Sequence, residues 1–214
     1  MRVIGIVVVA WLAAGCDKPS IAEPDRGSAA VTKKADDDIA REQAQFDAQR
    51  HPETVVAALA LRPGSRVADI GAGSGLLTVH LARAVAPGGK VIATDIDGGV
   101  LDMLRARLTA AKLLDVVEPR VVSADTPSLE KGAYDAILLS EVDNYFTDPV
   151  AWLRDAAKAV KPGGRIVIAN RIHRLANSLA AARQAGLKLD SQTTPVPTHF
   201  IAVFIVGSAP KGAE

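Results

Sequence analysis

Apolar and polar positions divide the chain into three stretches. Val3 to Ala14 is almost purely apolar. Asp17 to Asp38 is polar, with Ile21 and Val31 as its only larger apolar residues. From Ile39 onward, helical and strand periods alternate. Ile39 to Arg50 reads as a polar helix. Pro52 suits the first position of the next helix, whose apolar face is Val55, Val56, Leu59 and Ala60. Short apolar strands follow at Arg66–Ile70, Val91–Asp95, within Val116–Ser123, at Tyr134–Ser140 and at Arg165–Ala169. Helices are expected between them over Leu76–Ala86, from Asp97 to Leu114, and over Asp148–Val160, with Pro162-Gly163-Gly164 as a turn. The pattern closes with a helix over Arg174–Ala185 and two strands, Leu187–Thr193 and Phe200–Val206.

Strands separated by helices imply βαβ units around a parallel sheet covered on both faces. The last two strands are joined by the short link Thr194–His199. A parallel pair needs a crossover of about a dozen residues, so these two should be antiparallel. The expectation is therefore an α/β fold with a mostly parallel seven-stranded sheet and one antiparallel strand in a C-terminal hairpin.

The first stretch is a different object. A spanning helix needs about 20 apolar residues, and this run of about twelve behind Met1-Arg2 has the length of a signal-peptide core. Leu12-Ala13-Ala14-Gly15 leads into Cys16, the single Cys of the chain. The segment resembles a bacterial lipobox, with Ala13 where Leu is usual. The resemblance implies a lipoprotein-type signal peptide over 1–16, lipidation at Cys16 and attachment to a bacterial membrane. Asp17 resembles an inner-membrane retention signal, which would place the domain on the periplasmic side of the cell envelope. A plain signal peptide whose cleavage site contains a Cys is the alternative. Residues 17–38 read as a disordered linker, and 39–214 as the folded domain. A single Cys allows no intrachain disulfide. The formal charge of +1 makes no case for a nucleic-acid partner, and no protein partner is indicated.

Candidate chemistry gathers at the strand tips, where open α/β sheets bind ligands. The first strand runs into Asp69-Ile70-Gly71-Ala72-Gly73-Ser74-Gly75. A dinucleotide fingerprint needs a small residue three after Gly73, and that position is Leu76. The second strand ends at Asp95-Ile96-Asp97, with Asp95 twenty residues after Gly75. An acid there can accept both hydroxyls of an adenosine ribose, whichever cofactor carries it. Asp97 reads as a helix cap. The third strand ends at Asp125-Thr126, where a carboxylate can accept from an adenine amino group or serve a turn. Asp69 can touch a cofactor or orient loop amides. Asp135, at the start of the fourth strand, reads as structural.

The ordered set resembles the class I S-adenosylmethionine (SAM)-dependent methyltransferases, over about Pro52 to Val206. That resemblance implies a three-layer Rossmann-like fold, SAM as cofactor, and a cofactor site of Asp69, Gly71, Ala72, Gly73, Gly75, Asp95, Ile96, Asp125, Thr126 and Ser140. It is closer to bacterial predicted methyltransferases carrying Pro-x-x-Val-x-x-Ala-Leu-x-Leu, here Pro52 to Leu61. The methyl acceptor, unidentified and either a small molecule or a protein, would meet the loop after the fourth strand. Glu141 and Asp143 there are candidate catalytic bases or ligands for a cationic acceptor, or caps and solvated acids. The Asn/Asp-Pro-Pro-aromatic tetrapeptide of nucleic-acid amino-methylating members is absent.

His51, His80, His173 and His199 show no metal-ligand spacing, and no metal is expected. His173 can line the acceptor side, and His80 reads as a packing or surface residue. The segment Ile39–Arg50, with Phe46, can be a lid over the cofactor or a helix packed on the sheet edge. A methyltransferase-like scaffold with little catalysis and an aminopropyl transferase are competing readings. Export also conflicts with the cytoplasmic origin of SAM.

Overall fold

Alternation along each strand sorts the apolar side chains onto two faces of one sheet. The computed structural model describes residues 26–207, with side chains from residue 34 onward. The strands are β1 (Arg66–Ile70), β2 (Lys90–Asp95), β3 (Val117–Val121), β4 (Tyr134–Ser140), β5 (Val160–Arg171), β6 (Lys188–Val196) and β7 (His199–Ile205). The helices are α1 (Arg26–Arg50), α2 (Pro52–Leu59), α3 (Thr78–Val85), α4 (Gly98–Ala110), α5 (Pro149–Ala157) and α6 (Leu175–Gln184). Val67, Val91, Ala136 and Leu138 pack with α2, α3 and α4, through residues such as Leu59, Leu81 and Leu104. Their strand neighbours Ala68, Ile92, Ile137 and Leu139 pack with Leu153 and Ala156 of α5 and Ala182 of α6. This period-two sorting gives three layers, helix, sheet and helix.

The sheet order is β3-β2-β1-β4-β5-β7-β6. β1, β2, β3, β4 and β5 pair in parallel. β7 runs antiparallel to both β5 and β6. The expected architecture is thus found, a Rossmann-like α/β fold with β7 as the antiparallel strand. The strand order reverses between β1 and β4, which puts the ligand crevice at their carboxyl ends.

Three local expectations change. Helix starts at Arg26, within the stretch read as disordered linker. Once the Ile39–Arg50 segment is helical, adding turns of Ala and Lys costs little, because propagation is far cheaper than nucleation. The Pro162-Gly163-Gly164 turn is absorbed into β5 as an irregularity, where the register shifts between Tyr134 and Ala136. The helix expected to reach Leu114 ends at Ala110 and gives way to a short 3-10 turn, Leu114–Val116.

Asp97 and Asp148 cap their helices, accepting from the backbone N–H of Gly99 and Ala151. Asp135 is structural, accepting from the Arg66 backbone N–H and from Lys161 Nζ, each at 2.7 Å. The core and the candidate site both lie in the unit Asp36–Glu214. The segments expected to form the signal peptide, including Cys16, lie outside the described residues. Among the described residues, no helix is long and apolar enough to cross a membrane.

Candidate active site

The glycine loop turns immediately beyond β1 because its residues tolerate positions others cannot. Gly75 has φ +86°, and a Cβ there would lie 2.9 Å from Leu104 Cγ. Gly71 has φ +67°, and a Cβ would lie 2.8 Å from a Val142 methyl. Both need glycine for backbone conformation and for space. The Ala72 N–H donates to Thr94 O at 2.9 Å, tying the loop to β2.

A cavity of about 310 Å³ opens beside this loop. Its walls come from the tips of β1, β2 and β4 and from the segment after β3, and its surface is mostly apolar. That size falls within the roughly 300–1,000 Å³ range of small-molecule pockets. Asp95 stands in its wall. Its Oδ2 accepts from the Gly73 N–H at 2.9 Å and its Oδ1 from the Asp97 N–H at 3.1 Å. Each carboxylate oxygen keeps acceptor capacity for a hydroxyl. Ile96 follows, 65% exposed, an apolar residue presented beside the acid. Phe146 stacks on Trp152 with ring centroids 4.3 Å apart, and both rings line the cavity.

Of the expected cofactor residues, Gly71, Asp95, Ile96, Thr126 and Ser140 meet at this cavity. Glu141 also lines it. Gly73 contributes through its N–H to Asp95, while Ala72 and Gly75 shape the turn. Asp69 stands apart from the lining. It is 2% exposed and accepts from Thr78 Oγ1 at 2.7 Å. Burial drives its pKa up to about 6, the Thr78 hydrogen bond opposes this, and the Asp95 charge adds to it. Asp125 is also outside the lining: its carboxylate accepts from the Thr147 N–H at 2.9 Å and from Thr147 Oγ1 at 3.1 Å. It thereby bridges the loops after β3 and β4.

The acceptor side differs more from expectation. Asp143 is 5% exposed and accepts from Asn170 Nδ2 at 2.6 Å and Ser178 Oγ at 2.5 Å. It ties the post-β4 loop to β5 and α6 and does not face the cofactor cavity. Glu141 does face it, with the left-handed φ of +56°. Its carboxylate meets Arg50 at 2.5 Å, Arg171 at 3.1 Å and His199 at 3.3 Å. Burial alone would raise its pKa. The Arg171 hydrogen bond and the Arg50 charge, with further help from His199, override burial and hold it below the ordinary value.

Arg50 and His199 are participants the sequence reading missed. The antiparallel register pairs Arg171 with His199, and only the sheet brings them to Glu141. His173 sits in an exposed 3-10 turn, away from the lining. Phe46 lines a smaller void with Arg50, Val55, Leu77 and His199, so it packs beside the site without covering the main cavity. His80 pairs with Asp47 of α1 at 2.8 Å. Buried Arg107 donates to Ser74 O at 2.9 Å, to Ile39 O at 3.3 Å and to Glu42 at 2.5 Å. These contacts latch α1 onto the glycine loop.

A glycine turn at the reversal of strand order, an acid at the tip of β2 and an apolar slot beside it are the features an adenosyl cofactor requires. Residues 68–166 match the family described as "Methyltransferase domain". A ubiquinone biosynthesis O-methyltransferase of Xanthomonas campestris is 32% identical over 151 residues, covering 70% of this chain and 60% of that protein. An uncharacterized 37.1 kDa transposon protein of Streptomyces fradiae is 34% identical over 126 residues, covering 58% of this chain and 36% of that protein. The chain therefore spans less than two thirds of either relative. A SAM-dependent methyltransferase structure from Aquifex aeolicus superimposes with a TM-score of 0.70 at 17% identity, covering 80% of this chain and 98% of the other. Residues 68–166 are thus similar to a methyltransferase domain, and the chain has the Rossmann-like methyltransferase fold.

Proposed function

We propose that this protein is a SAM-dependent methyltransferase. The observation that carries the reading is Asp95, held by the Gly73 and Asp97 N–H groups at the cavity wall. Those two bonds aim its remaining lone pairs at the space a ribose would occupy. Ile96 would lie against the adenine, and the segment Ser123–Thr126 would border its polar edge. SAM supplies an electrophilic methyl on a sulfonium. The protein's work is to hold that methyl and the nucleophile close and aligned, and the apolar cavity wall excludes competing water.

The acceptor belongs beyond β4, on the Ser140–Glu141 side. With its pKa lowered by Arg171 and Arg50, Glu141 is a weak proton acceptor. It is also occupied by two guanidiniums and His199, which argues against an amine-binding role such as aminopropyl transfer. We also propose that Cys16 is lipidated and holds the domain at the cell envelope. Mass spectrometry of the mature N-terminus tests this, and a chain that starts unmodified at Met1 would remove it.

Titration calorimetry of the full chain with SAM and S-adenosylhomocysteine tests the principal reading. Saturable binding of both is expected, with affinity reduced about tenfold or more in Asp95→Ala, the loss typical of hydrogen bonds to a charged acceptor. A folded chain that binds neither would leave the scaffold reading in its place.

A further inference from the structure

The cluster around Glu141 holds more cation than anion. Arg50 ends α1, Arg171 ends β5 and His199 opens β7, and all three converge on one carboxylate. Burial, followed by the charge of Arg50, lowers the pKa of His199, so it is neutral near pH 7. The two guanidiniums then leave one net positive charge. Arg171 is 63% exposed at its side chain, so a ligand can reach its guanidinium. The His199 Nε2 atom is buried without a hydrogen-bond partner; it is close enough to Glu141 for attraction but off-line for a bond. The cluster stands between two spaces. Glu141 and Ser140 line the cofactor cavity, while Ser140, Arg50 and His199 line the neighbouring void.

The second acid of the loop offers no base either. Asp143 is enclosed by Asn170 and Ser178. An acceptor that must lose a proton during transfer would find no carboxylate free to take it, and a cationic acceptor would meet two arginines. Resting on the methyltransferase reading, we propose that the nucleophile is an oxyanion on the acceptor, received by Arg171 and Arg50, so that no proton has to leave it during transfer. A lone pair on that oxygen forms the O–C bond as the methyl C–S bond breaks. The C–S electron pair stays on sulfur, the sulfonium becomes a neutral thioether, and no proton moves. Glu141 holds the guanidiniums in place until the oxyanion arrives, through one charge-assisted contact to each.

The test is calorimetric titration of the S-adenosylhomocysteine-loaded full chain with benzoate, 4-nitrophenolate and benzylamine near neutral pH. Saturable, salt-sensitive binding of an oxyanion is expected, with benzylamine silent. Benzoate or 4-nitrophenolate as the binder identifies the acceptor as carboxylate or phenolate. Arg171→Ala, at an exposed position, should weaken the oxyanion about tenfold and leave S-adenosylhomocysteine within about twofold. Glu141→Gln should strengthen oxyanion binding. Preference for benzylamine, silence of both oxyanions, or equal loss of both ligands in Arg171→Ala would overturn the proposal. A chain that fails to bind S-adenosylhomocysteine overturns the methyltransferase reading, and this proposal with it.

Discussion

Asp69 shows how position in the fold changes what a carboxylate does. It follows two apolar residues of β1 and precedes the glycine loop, yet its partner is the Thr78 hydroxyl at the start of α3. Burial raises its pKa to about 6 from 3.8. An acid whose folded value lies above its unfolded value binds its proton more tightly in the fold. Its stabilising share is therefore complete below the unfolded value, and stability falls as pH rises from about 4 to about 6. Asp69→Asn keeps an acceptor for Thr78 and removes the ionisation. The variant should flatten that slope and be more stable above pH 6, by about 3 kcal/mol at most. Urea unfolding across this pH range checks it, and an unchanged slope would assign the titration to another group. Glu141 has the opposite sign. Its lowered pKa adds stability above its unfolded value, which is lost as pH falls through the folded value.

At the scale of elements, α1 is held by polar contacts more than by apolar burial. Arg107 of α4, 3% exposed, bonds Glu42 and Ile39 of α1 and Ser74 of the glycine loop. Gln43 donates to Leu76 O at 2.9 Å, and His80 of α3 pairs with Asp47. One guanidinium thus couples the N-terminal helix to the cofactor turn. Arg107→Ala should release Ile39–Arg50 to proteolysis and hydrogen exchange, cost about 1–3 kcal/mol, and weaken cofactor binding through the freed loop. If α1 stays protected in that variant, its docking rests on Phe46 and the apolar contacts around it. The same helix delivers Arg50 to Glu141, so its docking shapes the acceptor side too.

For the whole molecule, the sheet separates two cores that share only its backbone. Leu104 of α4 packs on one face and Leu153 of α5 on the other, both with no exposure. Each Leu→Ala change should cost about 2–5 kcal/mol. Because the sheet lies between them, the two losses should add within about 0.5 kcal/mol in the double variant, measured by urea unfolding. A larger deviation would mean that the faces communicate through strand shifts. β1 and β4 are buried on both faces, so their tips carry the glycine loop and Ser140–Glu141 on strands packed from both sides.

The sequence by itself determined what is local. Seven strand signals, the glycine turn after β1, the caps at Asp97 and Asp148 and the acid at the tip of β2 each arise within a few consecutive residues. The order of strands and helices fixes a parallel sheet, and the short link before His199 fixes the antiparallel hairpin. Only the tertiary structure decided which acids face the cavity. Asp125 and Asp143 were legible as acids at strand tips, but Thr147, Asn170 and Ser178 reach them from other elements and engage them in bridges between loops. Arg50, Glu141, Arg171 and His199 come from α1, the post-β4 loop, β5 and β7. Sheet register and the docking of α1 set their meeting, and no local period in the chain encodes either.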